Sequence, residues 1–418
     1  MSSEVIADPA FSPSRTAHKD SPVVARSRWI GRLWGIWLVL FSLASFTLRP
    51  PPIRDTINFD QFRDPGPKLA AALLILALAS VVPALWSAMI LGLDFRRAKF
   101  FAPAVFIMCV SIPISFLALS DPKLMVYLIL VYTMIGCAVI SISTNADQEV
   151  MLGSLFVTVA WTQTLMMVWV LKDHDYSWGR LFGRVQPNYW GAVAQLVIIG
   201  SVAMRGWVLR AGAVAISLVI LYETQSRGSE VAVAAGMVVA FVLYTLRSRW
   251  RAVLWLGAAL GLVFVLLLGS NFILNDLMKA DDPARGAGSG LTGRASAWAE
   301  TMTLITNHPW VGVGYRQHEQ YLTTEASAHN AYLATLADTG VIGFFGYMLF
   351  LVGGLWRAVL KALDRPSGAA LASAAFLAAF LVNGMFERTA LNTGNSYSLL
   401  MILVAAWAWR KDDPQESA

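Results

Sequence analysis

The stretch "LAAALLILALASVVPALWSAMILGL", residues 69–93, is 25 residues long and contains no charged side chain. About twenty apolar residues are enough for a helix to cross the hydrocarbon core of a bilayer, so this stretch predicts a transmembrane helix. Eleven further apolar runs occupy much of the remaining chain. The full set is 30–48, 69–93, 100–119, 124–142, 150–171, 188–204, 207–223, 229–246, 252–273, 341–356, 369–386 and 394–410.

The overall composition agrees with these runs. Of the 418 residues, 57% are hydrophobic and 14% are charged, and the mean hydropathy is +0.58. A soluble globular chain carries about 25% charged residues. We therefore predict an all-α, polytopic membrane protein of about 12 transmembrane helices, and not two or three soluble domains.

The basic residues predict how the spans are oriented. With the N-terminus inside, 18 of the 32 Lys and Arg residues fall on the inner side, which then has a net charge of +8. The outer side has a net charge of −2. Because cytoplasmic loops carry the excess of Lys and Arg, both termini are predicted to be cytoplasmic. This asymmetry accounts for the overall charge of +6 without a nucleic-acid partner.

The predicted spans divide the chain into five parts. We expect a cytoplasmic tail without a cleavage site, nine transmembrane helices, one long outer loop, three more helices and a second cytoplasmic tail. These parts are residues 1–28, 29–273, 274–340, 341–410 and 411–418.

The long outer loop contains two predicted helices. The first is capped by Thr292, ends at "NHPW" (307–310) and is followed by a turn at "GVG" (312–314). Its predicted apolar face consists of Ala295, Trp298, Met302 and Ile305. The second is capped by Ser327, runs from Ala328 to Asp338 and is stopped by Gly340.

His329 is the first candidate for chemistry. We place it in the first turn of the second helix, where the partial positive charge of the helix N-terminus favours a neutral imidazole. A neutral imidazole can take a proton from a hydroxyl group as a general base. The alternative is a structural loop histidine. Of the other histidines, His318 is expected to be solvated and His308 to close the end of its helix.

Arg184 and Arg227 are the second pair of candidates. Each stands at or just before a predicted helix start, in "GRVQPNYWG" (183–191) and "ETQSRGSE" (223–230). A cation there opposes the helix macrodipole unless an anion completes the site. The alternatives remain open: Arg227 can pair with a neighbouring glutamate, and Arg184 can be an interfacial anchor.

Other chemistries have weaker support in the sequence. Asp281 and Asp282 lie in a Gly-rich stretch and predict a solvated turn, and there is no metal-ligand spacing or phosphate-binding loop. We therefore expect neither a metal nor a nucleotide cofactor. The spans contain almost no ionisable residues, which disfavours a transporter or lipid flippase. A non-catalytic scaffold is a third hypothesis.

Four sequence blocks carry a family resemblance. "GRASAWAETMTLITNHPWVGVGYRQ" (293–317) and "SAHNAYLATLADTGVIGF" (327–344) resemble the signature loop of the O-antigen ligase and polymerase family. "RVQPNYWG" (184–191) and "TQSRGSEVAV" (224–233) resemble two further blocks in the expected order. The resemblance covers about residues 175–400. It implies a GT-C-like glycosyltransferase of the bacterial inner membrane, with residues 274–340 as a periplasmic catalytic loop.

The resemblance also implies substrates and roles. The donor would be a glycan on undecaprenyl pyrophosphate, and the acceptor a sugar of lipid A core or of a growing polysaccharide, with inversion and without metal. His329 would activate the acceptor hydroxyl, and Arg184 and Arg227 would hold the pyrophosphate. Arg294 matches a family position of less defined role, and Glu387, in "NGMFERT", would orient the acceptor or an arginine.

One departure bears on the acceptor. Residues 186–188 read "QPN", where some exopolysaccharide polymerases carry "HKN". This difference favours a ligase-like role or a less typical polymerase role, and a ligase and an exopolysaccharide or capsule polymerase both remain hypotheses.

Overall fold

The computed structural model describes most of the chain outside the termini and several loops. The described residues are 21–48, 66–99, 102–115, 123–172, 175–177, 180–182, 185–248, 251–268, 294–323, 328–389 and 395–411. The predicted caps Thr292 and Ser327, the pair Asp281 and Asp282, and Arg184 lie outside them.

These residues form helices almost throughout. The helices are α1 (Pro22–Leu48), α2 (Gly66–Ala79), α3 (Val81–Leu91), α4 (Ala102–Ser115), α5 (Lys123–Ser143), α6 (Gln148–Lys172), α7 (Pro187–Gly200), α8 (Trp207–Thr224), α9 (Arg227–Arg247), α10 (Arg251–Leu268), α11 (Arg294–Asn307), α12 (Ala331–Asp364), α13 (Gly368–Gly384) and α14 (Ser396–Trp409). A short antiparallel hairpin, β1 (Asp175–Ser177) and β2 (Arg180–Phe182), lies before α7.

The predicted membrane architecture is confirmed. Each of the twelve apolar runs overlaps at least one helix. Six helical stretches are long and apolar enough to cross a bilayer, namely α1, α2 with α3, α6, α8, α9 and α12. The shorter apolar helices include α4, α5, α10, α13 and α14. The chain is an all-α, polytopic membrane protein.

The core of the bundle is built around α13 and α14. Both helices are buried along nearly their whole length, which matches their apolar composition on every face. Small residues let neighbouring helices approach α13 closely. A Cβ added at Gly236 of α9, for example, would lie 2.7 Å from the carbonyl oxygen of Ala375.

Several predicted inner loops meet at one end of the bundle. We call it the basic end, because it contains Arg97, Lys361, Arg410 and Lys411. The Lys411 amide donates to the Arg97 carbonyl (3.0 Å), and an Arg410 guanidinium nitrogen donates to the Ala146 carbonyl (3.2 Å). The Lys361 ammonium, in the last turn of α12, donates to the Arg410 carbonyl (3.1 Å). The segments that follow α3, α5, α12 and α14 therefore lie together.

A glycine kink divides α12. Gly340 has φ 64° and ψ −174°, and a Cβ there would lie 2.2 Å from the Trp310 carbonyl carbon. A Cβ at Gly312 (φ 69°) would lie 2.4 Å from the Asp338 carbonyl carbon. The two backbone segments can therefore approach this closely only because both positions are glycine. The predicted turn at 312–314 and the predicted break at Gly340 are confirmed, and the helix resumes immediately after the break.

The first loop helix is confirmed as α11, but its predicted face is partly wrong. Its buried residues are Ala297, Thr301 and Ile305, whereas Met302 is 49% exposed. The Thr301 hydroxyl donates to the Ala297 carbonyl (2.6 Å), so this polar group keeps a hydrogen bond although the side chain is buried. Hydrophobicity alone predicted that Met302 is buried and Thr301 exposed. The buried face in the structure is therefore rotated about the helix axis relative to the predicted one.

Candidate active site

The segment before α12 carries His329. Asn330 caps the helix, because its side-chain oxygen accepts from the amides of Tyr332 (3.0 Å) and Leu333 (3.1 Å). The predicted start at Ala328 is wrong, since Asn330 has an extended backbone and α12 begins at Ala331. His329 therefore precedes the cap and does not stand in the first turn.

His329 occupies a left-handed backbone conformation. Its φ is +44°, which is uncommon for a residue other than glycine and tends to occur at functional sites. The preceding carbonyl, of Ala328, accepts a hydrogen bond from the Trp298 indole (2.6 Å), so α11 fixes the position of this turn. The imidazole is 41% exposed and is accessible to a substrate.

Glu387 connects three parts of the chain. Its Oε2 lies 3.8 Å from Nδ1 of His329, and its Oε1 lies 3.8 Å from Nη2 of Arg294. The same Oε1 accepts a hydrogen bond from Nδ2 of Asn188 (2.6 Å). The structure therefore brings together His329, Arg294 and Glu387.

Arg180 joins this group through Asn188. Its Nη2 donates to Oδ1 of Asn188 (2.7 Å), and its Nε donates to the Thr224 carbonyl (2.7 Å). Asn188 therefore links the guanidinium of Arg180 to the carboxylate of Glu387. Sequence reasoning missed Arg180 and chose Arg184, which lies four residues later in the chain.

Arg227 opens α9 close to the same group. A Cβ at the next residue, Gly228, would lie 2.7 Å from Cβ of Phe386, so the start of α9 lies directly against the segment that carries Glu387. Glu230 interacts electrostatically with both Arg227 and Arg180. Glu230 is therefore close to both guanidiniums, and the alternative that Arg227 pairs with a neighbouring glutamate stays open.

A second group of charged residues, which is buried, lies beside the group around Glu387. His318 is 0% exposed, and its Nδ1 lies 2.8 Å from Oδ1 of Asp338, which also accepts from the His318 amide (3.0 Å). The expectation that His318 is solvated is therefore wrong. The turn at 315–321 folds back onto α12, and no local pattern in the sequence predicts this.

Arg388 completes the buried group. Its guanidinium pairs with Glu319, and its Nη2 lies 3.7 Å from Oδ2 of Asp338. Burial lowers the pKa of Arg388, but Asp338 and Glu319 raise it more, so the pKa is held above its ordinary value. Arg388 therefore stays charged and ties the 315–321 turn to the residue next to Glu387.

A family comparison identifies the segment that contains most of these residues. Residues 212–348 match the family model described as O-antigen ligase. Through this segment, about a third of the chain, the protein is similar to the O-antigen ligase family. The match runs from α8 past the kink in α12 and includes Arg227, Arg294 and His329. No curated protein matches the chain.

The match to the O-antigen ligase model indicates a general class of activity. The match supports an integral membrane enzyme of the O-antigen ligase or polymerase type, a class whose substrates in general are lipid-linked glycans and polysaccharides. Arg180, Asn188 and Glu387 lie outside the matched segment, and the fold brings them to it. Among the described residues, no group of three or more His, Cys, Asp or Glu side chains could hold a metal ion. That the O-antigen ligase chemistry needs no metal stays a prediction.

Substituting Glu387→Gln tests whether the charge of Glu387 organises the group that contains His329 and Arg294. The variant keeps an acceptor for Asn188 but removes the charge that faces His329 and Arg294. We expect transfer to fall about 10-fold to 100-fold, by analogy with the loss of a partner that orients a ligand or base. The measurement is kcat of the purified variant in detergent. Equal kcat in the variant and the wild type would show that this charge has no role.

Proposed function

We propose that this protein transfers a glycan from undecaprenyl pyrophosphate to a sugar hydroxyl at the periplasmic face of the bacterial inner membrane. The observation that carries the proposal is the grouping of His329, Glu387 and the Arg180–Asn188 pair around one open turn, in a chain whose residues 212–348 match the O-antigen ligase model. A base and a cationic pair are the two components that such a transfer needs.

His329 is the proposed general base. The carboxylate beside Nδ1 favours the tautomer with its proton on that nitrogen, which leaves the Nε2 lone pair for the acceptor hydroxyl. When Nε2 takes the proton, the same carboxylate stabilises the imidazolium that forms. Glu387 is itself held by Asn188 and Arg294, so the orientation of the pair does not depend on the substrate.

Arg180 and Arg227 are the proposed ligands of the pyrophosphate. The acceptor oxygen attacks the anomeric carbon as the bond from that carbon to the phosphate oxygen breaks, and the electron pair leaves with the pyrophosphate. Attack from the face opposite the leaving group inverts the anomeric configuration. Guanidiniums that donate to phosphate oxygens stabilise this charge as it grows and are sufficient without a metal. Arg184 keeps its proposed role as a further ligand.

The orientation of the bundle supports a periplasmic site. The basic end, with Arg97, Lys361, Arg410 and Lys411, has the charge expected of a cytoplasmic surface. Because α12 begins beside His329 and ends at the basic end, the His329 group lies at the opposite end. Cytoplasmic termini and a periplasmic 274–340 loop complete the proposed topology.

The acceptor distinguishes a ligase from a polymerase. We expect a deletion strain to lose the whole glycan ladder from lipid A core and to accumulate lipid-linked polymer if the protein is a ligase. Single repeat units on the core, or loss of exopolysaccharide, would indicate a polymerase. The measurement is a gel profile of lipopolysaccharide and secreted glycan. Unchanged profiles in the deletion strain would contradict both forms of the proposal.

A further inference from the structure

The turn between α11 and the 315–321 turn carries an exposed tryptophan. Trp310, in "NHPW" (307–310), is 68% exposed, and Val311 after it is 38% exposed. A large aromatic side chain is usually well buried in water-soluble structure, whereas tryptophan is enriched where a protein crosses a membrane surface. Trp310 falls within the predicted periplasmic loop, 274–340, and the proposed transfer mechanism does not use it.

The backbone of this turn completes the break in α12. Gly340 interrupts the helix, so the first amides after it lack the usual carbonyl acceptors one turn earlier. The Val341 amide donates instead to the Pro309 carbonyl (2.8 Å), and the Ile342 amide donates to the Trp310 carbonyl (3.4 Å). The turn is therefore held level with the first residues of the second part of α12.

The second part of α12 has one exposed face, and this face is apolar. A Cβ at Gly346, on the opposite face, would lie 2.7 Å from Cγ2 of Ile107, so that face packs closely against α4. An apolar stripe left exposed on a membrane-spanning helix faces lipid. Between residues 341 and 360 every exposed residue of α12 belongs to this set: Val341, Ile342, Phe345, Val352, Trp356 and Leu360.

The length of this apolar face gives the level of Trp310 in the membrane. From Val341 to Leu360 the helix rises by about 28 Å at 1.5 Å per residue, which is close to the thickness of the hydrocarbon core. Lys361 follows the face directly and donates to the Arg410 carbonyl at the basic end. Since the face begins at Val341, the turn that carries Trp310 lies at the hydrocarbon boundary opposite the basic end.

The residues around Trp310 change from polar to apolar, as expected at such a boundary. Asn307 and His308 are both exposed and are suited to water and lipid headgroups. Pro309 has no amide proton, so it leaves no donor unsatisfied where water is scarce. The His308 carbonyl accepts a hydrogen bond from the Gly312 amide (3.2 Å), which closes the turn on itself.

We propose that the turn at residues 308–311 is a membrane-contacting surface whose partner is the phospholipid leaflet opposite the basic end, the outer leaflet in the proposed topology. The ring of Trp310 packs among lipid chains near their ester groups, and its N–H donates to an ester or headgroup oxygen. The contact fixes the height at which the segment between α11 and α12 meets the bilayer. The inference goes beyond the proposed function, because it depends on no step of the reaction.

Site-directed spin labelling tests this contact without an activity assay. Trp310→Cys carries a nitroxide in a full-length chain whose own thiols are removed by Cys109→Ala and Cys137→Ala, reconstituted in phosphatidylglycerol and phosphatidylethanolamine nanodiscs. The label's collision rate with oxygen, which concentrates in the bilayer, is compared with that of a water-soluble nickel chelate. Phe345→Cys, on the apolar face of α12, and Thr303→Cys, at an exposed polar position on α11, are the matched references.

We expect the oxygen-to-nickel ratio for Trp310→Cys to be shifted above that of Thr303→Cys and to lie below that of Phe345→Cys, since the turn is at the boundary. Val311→Cys, which retains Trp310, should give the same order. A ratio no higher than that of Thr303→Cys in both variants would place the turn in water and overturn the proposal. Low collision rates with both reagents in both variants would show that protein, such as a second copy of the chain, covers the turn, which also overturns it.

Discussion

Replacing His329 with alanine is expected to lower glycan transfer by about 10²-fold to 10⁴-fold, the usual contribution of a general base. Its imidazole faces the carboxylate of Glu387 and is 41% exposed, so removal takes away the base without opening a large core cavity. The measurement is transfer by the purified protein, alongside the surface polysaccharide of cells that carry the variant.

The backbone at His329 requires a second variant. Alanine is disfavoured at φ +44°, whereas asparagine tolerates the left-handed region. His329→Asn should therefore keep the turn and lose the base, with the same loss of transfer as His329→Ala. His308→Ala, at an exposed position just after α11, is the control and should behave as wild type. Full transfer by either His329 variant would exclude the imidazole as the base.

Replacing Arg180 with glutamine is expected to lower kcat by about 10²-fold to 10³-fold, as for the loss of one donor to a developing oxyanion. Glutamine still offers a donor to neighbouring oxygens, but it has no charge for the leaving pyrophosphate. Arg227→Gln should have a comparable effect for the same reason. The measurement is kcat with saturating lipid-linked donor.

The controls for the arginine variants come from the same chain. Arg210, whose guanidinium donates to the Met204 carbonyl, lies away from the site, and Arg210→Gln should retain wild-type kcat. Arg184→Gln measured in parallel shows whether the block at 179–188 supplies one guanidinium or two. Wild-type kcat in Arg180→Gln would remove Arg180 from the site and would restore Arg184 as the sole candidate from that block.

The sequence predicted the membrane architecture because hydropathy is a local property. Each apolar run forms a helix, and the positions of Gly312 and Gly340 marked a turn and a break. The start of α12 was misplaced because Asn330 and not Ser327 supplies the cap in the structure. His318 was misjudged because its burial depends on Asp338, twenty residues away in the chain.

The candidate site was predicted in part for similar reasons. His329, Arg227 and Arg294 lie in the sequence blocks that resemble those of the O-antigen ligase and polymerase family. Arg180 acts through Asn188 and Glu387, and the last two are separated by about two hundred residues in sequence. Only the packing of α7 beside the segment that follows α13 brings them into contact. No periodicity or spacing in the sequence contains that information.

A structure of the protein with undecaprenyl pyrophosphate bound tests the central claim most directly. The account predicts that the two phosphates lie within hydrogen-bonding distance of the guanidiniums of Arg180 and Arg227, on the side of the bundle where His329 meets Glu387. Phosphates at the basic end, beside Arg97 and Arg410, or remote from both Arg180 and Arg227, would contradict it.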